Sequence, residues 1–395
     1  MEEKQQFISL LSSGHFTMSA LCETFEISRK TGHKWKNRHA AHGMAGLAPQ
    51  SSAPKSVTCR TDASVEKLII AERRLHPTWG AKKIRHILGT KHGVKNPPVV
   101  STVGEVLKRH GMVKTRRKRA GVFKVERGTL TVPQRNNHVM AVDFKGWFKL
   151  GDETRCDTLT VSDLHSRFLI KVKVMPDMTV KWTKREFRNV FKRYGLPEII
   201  RVDNGSPFAS NGPGGLSKLS VWWIGLGIEV QFSRPGCPQD NGCHERMHRT
   251  MKAESCKPSS TNRSAQQQRF DRWKKAFNKD RPHEALGMRT PAEVYQPSPR
   301  QYSEHIKPRL YKTGVRLKRV NHAGFIFLDR NTYYISETLA GVEVAIEEST
   351  ETGWLAVRYA NVKLGWLERT PNARLRPTAY AERWESKLAS KTDER

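Results

Sequence analysis

NHVMAVDFKGWFKL (residues 137–150), RCDTLTVSDL (155–164) and RFLIKVKVM (167–175) are three consecutive runs rich in Val, Leu, Ile, Phe and Thr. The turn segments GDET and HS separate them, so they read as a meander of strands. A helical pattern follows in TVKWTKREFRNVFKRYG (179–195), then a short strand in EIIRVDNG (198–205). Another helix, GLSKLSVWWIGLG (215–227), a strand, IEVQFSRP (228–235), and a long helix starting near Gly242 complete the set. Three meandering strands followed by alternating helix and strand predict one mixed α/β sheet covered by helices, over residues 138–300.

Three acids in this region stand where strands end or helices begin. Asp143 interrupts the apolar run VMAVDFKGWF, where an acid is costly to bury unless it is paired or binds a cation. Asp203 ends the strand EIIRVDNG, and Gly205 permits a sharp turn behind it. Glu245 lies just inside the helix opened by QDNG. Each alone has an ordinary explanation: an edge-strand acid, a turn, or a carboxylate favoured at a helix N-terminus. Together they form a catalytic and metal-binding candidate, because ligands gather outside the carboxyl ends of strands in such sheets. Hard carboxylate oxygens suit Mg²⁺ or Mn²⁺. Two ions about 4 Å apart can clamp the attacking and leaving oxygens of an in-line phosphoryl displacement. Asp240, in PQDNG, competes with Glu245 as third acid; N-G-x-x-E places Glu245 one turn into the helix and favours it. Asp163 reads as a turn acid or a supporting partner near Arg167, and Trp222 and Trp223 as core. From Glu245, His248, Arg249 and Lys252 follow at i+3, i+4 and i+7, where cations can meet the phosphates of DNA.

Upstream, residues 1–50 read as a helix-turn-helix. FTMSALCETFEI (16–27) gives one helix, and Ser28 caps the next, SRKTGHKWKNRHAAHG (28–43). That helix concentrates Arg29, Lys30, Lys34, Lys36 and Arg38, with Trp35 reading as exposed. It is either a helix that reads the major groove or the solvated basic face of a small bundle, and the clustering favours the former. A Ser- and Pro-rich linker leads to a second helix-turn-helix-like unit at 60–118, and 119–137 is a basic linker. Downstream, short strands such as GVEVAIEE (341–348) and WLAVRYA (354–360) predict a small β-barrel over 301–375, followed by a charged tail, 376–395.

Composition points to a polyanionic partner. Seventy Lys and Arg against 38 Asp and Glu give a formal charge of +32 over 395 residues. DNA is the natural compensation, since each neutralised phosphate releases counterions. No apolar run approaches a membrane span, and the N-terminus lacks a secretory pattern, so no membrane association is expected. The six cysteines include no C-x-x-C pair. Cys237, Cys243 and His244 crowd together but fit no usual zinc spacing, and free thiols of a reducing compartment are the simpler reading.

VDFKGWF (142–148), VDNGSPF (202–208), RPGCPQDNGCHERMHRTMKAE (234–254) and FNKDRPHEALGMRTPAEVY (277–295) resemble bacterial insertion-sequence transposases with a retroviral-integrase-type core. The resemblance covers roughly the C-terminal two-thirds and implies an RNase H-like fold, a D,D,E metal triad with two ions per site, and DNA strand transfer. The triad spacings, 60 and 42 residues, follow that order. The second gap is longer than many members show, and the extra length falls in ASNGPGGLSK (209–218). The expected protein is a multidomain transposase that binds both ends of a mobile element as a homo-oligomer assembled on DNA, in the bacterial cytoplasm at the nucleoid. A nuclease without strand transfer and a DNA-binding regulator are the rivals. The regulator would lack an acid, and none is missing.

Overall fold

A computed structural model describes residues 2–49, 61–113, 130–233, 242–305, 311, 314–349 and 353–377. The chain divides into two compact units, Met1–Asp62 and Ala63–Arg395.

The first unit is built from α1 (Glu2–Ser12), α2 (Met18–Thr24) and α3 (Arg29–His42). Thr17 and Ser28 accept the free backbone N–H groups of Ala20 and Thr31, as the Ser28 cap predicts. Phe7, Ile8, Leu21, Cys22 and Leu47 form the core. Gly32 lets α3 approach closely: a Cβ there would stand 2.6 Å from the sulfur of Cys22. Lys30, Lys34 and Lys36 are exposed, as is Arg29, while Arg38 is half-buried. Trp35 departs from its expected exposure. Its ring meets Phe7 edge-on at 5.3 Å and is half-buried against the core, where an aromatic ring adds apolar area.

The second unit begins with α4 (Ala63–Leu75), α5 (Ala81–Thr90) and α6 (Val100–Arg109), packed around Ile69, Trp79, Ile84, Leu88, Val103 and Leu107. This bundle is tied to the rest of the unit. Lys82 pairs with Glu284 at 2.9 Å. Glu254 accepts from Arg281 at 2.8 Å and also from Thr78.

The central sheet contains β1 (Val139–Lys149), β2 (Arg155–Asp163), β3 (Leu169–Met175), β4 (Ile199–Val202) and β5 (Glu229–Phe232). Its order is β3-β2-β1-β4-β5. The first three strands pair antiparallel and β4 and β5 join parallel to β1. The helices are α7 (Val180–Tyr194), α8 (Lys218–Gly225), α9 (Gly242–Ser255), α10 (Arg263–Lys279) and the short α11 (Pro291–Val294). Alternation along the strands sends side chains to two faces. Met140, Val142, Leu159 and Val161 face a core shared with Phe187, Phe191 and both Trp222 and Trp223. The other face packs Cys156, Leu169 and Val172 against Met247 and Met251 of α9 and Phe270 and Trp273 of α10.

The C-terminal strands are β6 (Arg316–Arg319), β7 (Phe325–Leu328), β8 (Asn331–Tyr334), β9 (Glu343–Glu348), β10 (Trp354–Tyr359), β11 (Val362–Glu368) and β12 (Arg376–Pro377). The expected barrel does not close. Among the described residues β12-β11-β10-β9-β6 is an open sheet, and β7 and β8 form a separate hairpin. A barrel closes to bury its inner face and pair its edges. Here Leu216, Val221 and Ile224 of the central domain enter the core formed by Val344, Ile346, Val357 and Leu367, so that face is covered without closure.

Candidate active site

The polar site follows from strand alternation. Val139, Ala141 and Asp143 share one face of β1, and Asp143 stands directly across from Thr160 of β2. Thr158, Thr160 and Ser162 lie on that same face and are buried. A buried hydroxyl strip needs partners, and α9 supplies them. Thr160 Oγ1 donates to the Asp143 carbonyl at 3.0 Å and lies 2.7 Å from Nε2 of both His244 and His248. Ser162 Oγ contacts His244 Nδ1 at 2.8 Å. Nδ1 of His248 lies 3.6 Å from Asp143 Oδ2.

The remaining acids reach the same end of the sheet. Asp203 follows β4 immediately and is exposed; its carboxylate accepts from Gly205 N at 3.1 Å. Asn204 anchors the turn by donating to the Ser233 carbonyl at 2.6 Å. Glu245 is exposed in the first turn of α9. Burial raises the Asp143 carboxyl, and the negative charges of Asp203 and, more weakly, Glu245 push it further, to about 7. Asp203 and Glu245 are therefore close enough for their charges to act on Asp143, an electrostatic condition that a divalent cation relieves. The three acids offer carboxylate oxygens, which fit Mg²⁺ or Mn²⁺. Asp240, the competing third acid, lies outside the described residues, as do Cys59 and Cys237; Cys243 is exposed and free.

A raised carboxyl has a consequence for stability. The folded value, about 7, lies above the unfolded one, so the metal-free fold binds a proton that the unfolded chain has already lost. Stability from this group thus falls as pH climbs from about 4 to about 7, and above that the whole penalty remains. In chelator, Asp143→Asn should raise Tm at pH 8 by at least about 4 °C. It should give only a small gain near pH 4, where the group is neutral in the fold and about half ionised in the unfolded chain. Thermal unfolding at the two pH values checks this, and an equal change at both would contradict it.

The cations divide. Arg249 and Lys252 are exposed. His248, expected beside them as a phosphate contact, is buried against the sheet and faces Thr160 and Asp143 instead. Burial, and next the charge of Lys145, push its imidazole down to about 3; burial also holds His244 well below the usual range. A neutral buried ring is no phosphate cation. The signal that points to this pair is in the sequence: His244-Glu245-x-x-His248 places two imidazoles at i and i+4 on one helix face. Asp163, buried, accepts from Asn137 N and Ser166 N, both at 2.8 Å, and fixes the turn after β2. Arg281 bonds Glu254, whose other oxygen accepts from Trp273, in keeping with a structural reading of the RPHEAL segment.

Known proteins carry the same elements. Models of an integrase core domain match residues 133–238 and 226–291, and a homeodomain-like domain matches residues 31–107. The uncharacterized 31.7 kDa protein of insertion element IS407 from Burkholderia multivorans is 26% identical over 182 residues. That match covers 46% of this chain and 63% of the relative, so this chain spans less than two-thirds of its length. The 39.2 kDa protein of insertion element IS476 from Xanthomonas euvesicatoria is 23% identical over 68% of this chain and 75% of its own. The Pol polyprotein of Radiation murine leukemia virus is 36% identical over 18% of this chain and 11% of its own. The chain thus carries regions similar to an integrase core domain and a homeodomain-like domain, and it is similar to proteins of bacterial insertion elements.

Proposed function

We propose that this chain is a DNA transposase whose active site is Asp143, Asp203 and Glu245. It would bind the ends of a mobile element, hydrolyse a phosphodiester there and transfer the freed 3′-OH strand into target DNA. The observation that carries this reading is the half-buried Asp143 carboxyl of β1, raised by the charges of Asp203 at the end of β4 and Glu245 in the first turn of α9. Two divalent ions held there would supply Lewis-acid stabilisation of the attacking and leaving oxygens. The chain's own part is positioning: β1 and β4 pair side by side, so Asp143 and Asp203 keep a fixed separation, and α9 sets Glu245 against them. The exposed cations of α3, Arg29, Lys30, Lys34 and Lys36, with Arg38 beside them, are the groups we assign to element-end DNA. Joining two ends needs more than one copy, so a homo-oligomer assembles on DNA. Among the described residues no helix is long and apolar enough to cross a membrane.

Incubation with linear DNA carrying the ends of the element that encodes this chain tests the proposal. Joined product dependent on Mg²⁺ or Mn²⁺ is expected. Cleavage without joining would make the protein a nuclease, and full activity in chelator would remove the metal mechanism.

Arg249 and Lys252 extend outward from the Glu245 turn of α9 and are assigned to the DNA end at the reacting phosphate. Replacing either with Glu should reduce joining by on the order of a hundredfold, since a shift of about 1 Å at the reacting centre costs that much. Bulk affinity should fall far less, because one lost phosphate contact lowers the salt slope by only about one. Salt-dependent binding and single-turnover joining on the same variants check the split; equal losses in both would mark them as general phosphate contacts.

A further inference from the structure

Thr160 Oγ1 has one hydrogen and two lone pairs, and it has three polar neighbours. The Asp143 carbonyl can only accept, so the hydrogen goes there. Both imidazoles must then donate from Nε2, at 2.7 Å each, and Thr160 is fully satisfied. For His244 the other nitrogen, Nδ1, accepts from Ser162, which accounts for both of its atoms. For His248 the other nitrogen is a bare lone pair, and it faces the Asp143 carboxylate across 3.6 Å.

A lone pair facing a carboxylate oxygen needs a cation between them. At 3.6 Å a proton is a poor candidate, because that separation is too long for a hydrogen bond. It suits a metal ion: two atoms each about 2.1–2.2 Å from one ion stand roughly 3.0–3.6 Å apart, depending on the angle. Asp143, His244 and His248 each place a potential ligand atom within 4.8 Å of the others, and the hydrogen-bond accounting removes His244 from that set. The ring of His248 is also held against rotation by Thr160, as metal-bound imidazoles are held by a partner on their other nitrogen.

We propose that His248 Nδ1 is a metal ligand beside Asp143, making one of the two cation sites a mixed nitrogen–oxygen site that favours Mn²⁺ over Mg²⁺. This rests on the assignment of Asp143 to the metal centre. Imidazole is a softer ligand than carboxylate or water, and Mn²⁺, a transition ion, accepts nitrogen more readily than Mg²⁺, which is held by oxygen. The fixed tautomer makes the site ready without rearrangement: Thr160 and the Asp143 carbonyl position the ring before any ion arrives.

The test uses the full chain with Mn²⁺ alone and no DNA. Pulsed electron paramagnetic resonance on wild-type protein should show coupling of the bound Mn²⁺ to a directly ligated imidazole nitrogen. His248→Gln should remove that coupling and weaken Mn²⁺ binding, measured by calorimetry, by at least about tenfold. Mg²⁺ binding should change less, so the ratio of the two affinities falls. Tightly bound Mn²⁺ with oxygen ligands only, in wild-type protein, overturns the proposal, and this reading holds even if His248→Gln does not fold. Such a result combined with metal-dependent DNA joining leaves the transposase assignment standing. Absence of both Mn²⁺ binding and joining overturns the two together.

Discussion

Asp143→Asn, Asp203→Asn and Glu245→Gln should each abolish cleavage and joining while leaving affinity for element ends nearly intact. Each removes an oxygen ligand and a negative charge but no DNA-contacting cation. The loss should exceed the roughly 10–100-fold typical of removing a group outside the metal's own ligand set. Affinity should hold because it is spread over many Lys and Arg residues in a chain of charge +32. The amide changes also relieve repulsion around Asp143, so the inactive proteins should be folded, and stability cannot explain their inactivity. Joining assays beside binding curves decide the matter. An active Glu245→Gln with a dead Asp240→Asn would move the third ligand to Asp240.

The second large effect concerns recognition. Deleting residues 1–62 should remove sequence-selective binding to element ends by on the order of 10³-fold, the lower end of the gap between specific and non-specific DNA binding. The cut falls at the boundary between the two compact units, so the remainder should fold and keep salt-sensitive, non-selective binding. A deposit of selectivity in the remaining chain would place recognition in α4 to α6 instead. Cutting after residue 118 is a different experiment. It strips Glu254 of Thr78 and Glu284 of Lys82, so that protein should melt lower than the first truncation. Competition binding against unrelated DNA and thermal unfolding measure the two effects separately.

How far each feature could be read in advance depended on the range of the interaction behind it. Asp143 stood out because a carboxylate inside a Val-, Phe- and Trp-rich strand needs a partner wherever the strand ends up. The meander and the Ser28 cap follow from period-2 runs, turn residues and local hydrogen bonds, all of which act within a few positions of chain. The helical spacing of His248, Arg249 and Lys252 put them on one broad face, yet it could not say where the sheet would cut that face. The sheet cuts between them: His248 turns under α9 onto Thr160, while Arg249 and Lys252 stay outside.

The sequence by itself determined the order of strands and helices, the places of the acids along it and the basic character that calls for DNA. Tertiary structure alone decided three things. Trp35 packed onto the core because α1 brought Phe7 against it. The C-terminal strands remained an open sheet because Leu216, Val221 and Ile224, distant in sequence, covered their apolar face. His248 became a partner of Asp143 because β2 put Thr160, 88 residues away, between two imidazoles with a single hydrogen to give. Burial and hydrogen-bond saturation are properties of the groups that surround a residue. Those groups are assembled by the fold from remote stretches of chain, so periodicity within one stretch cannot anticipate them.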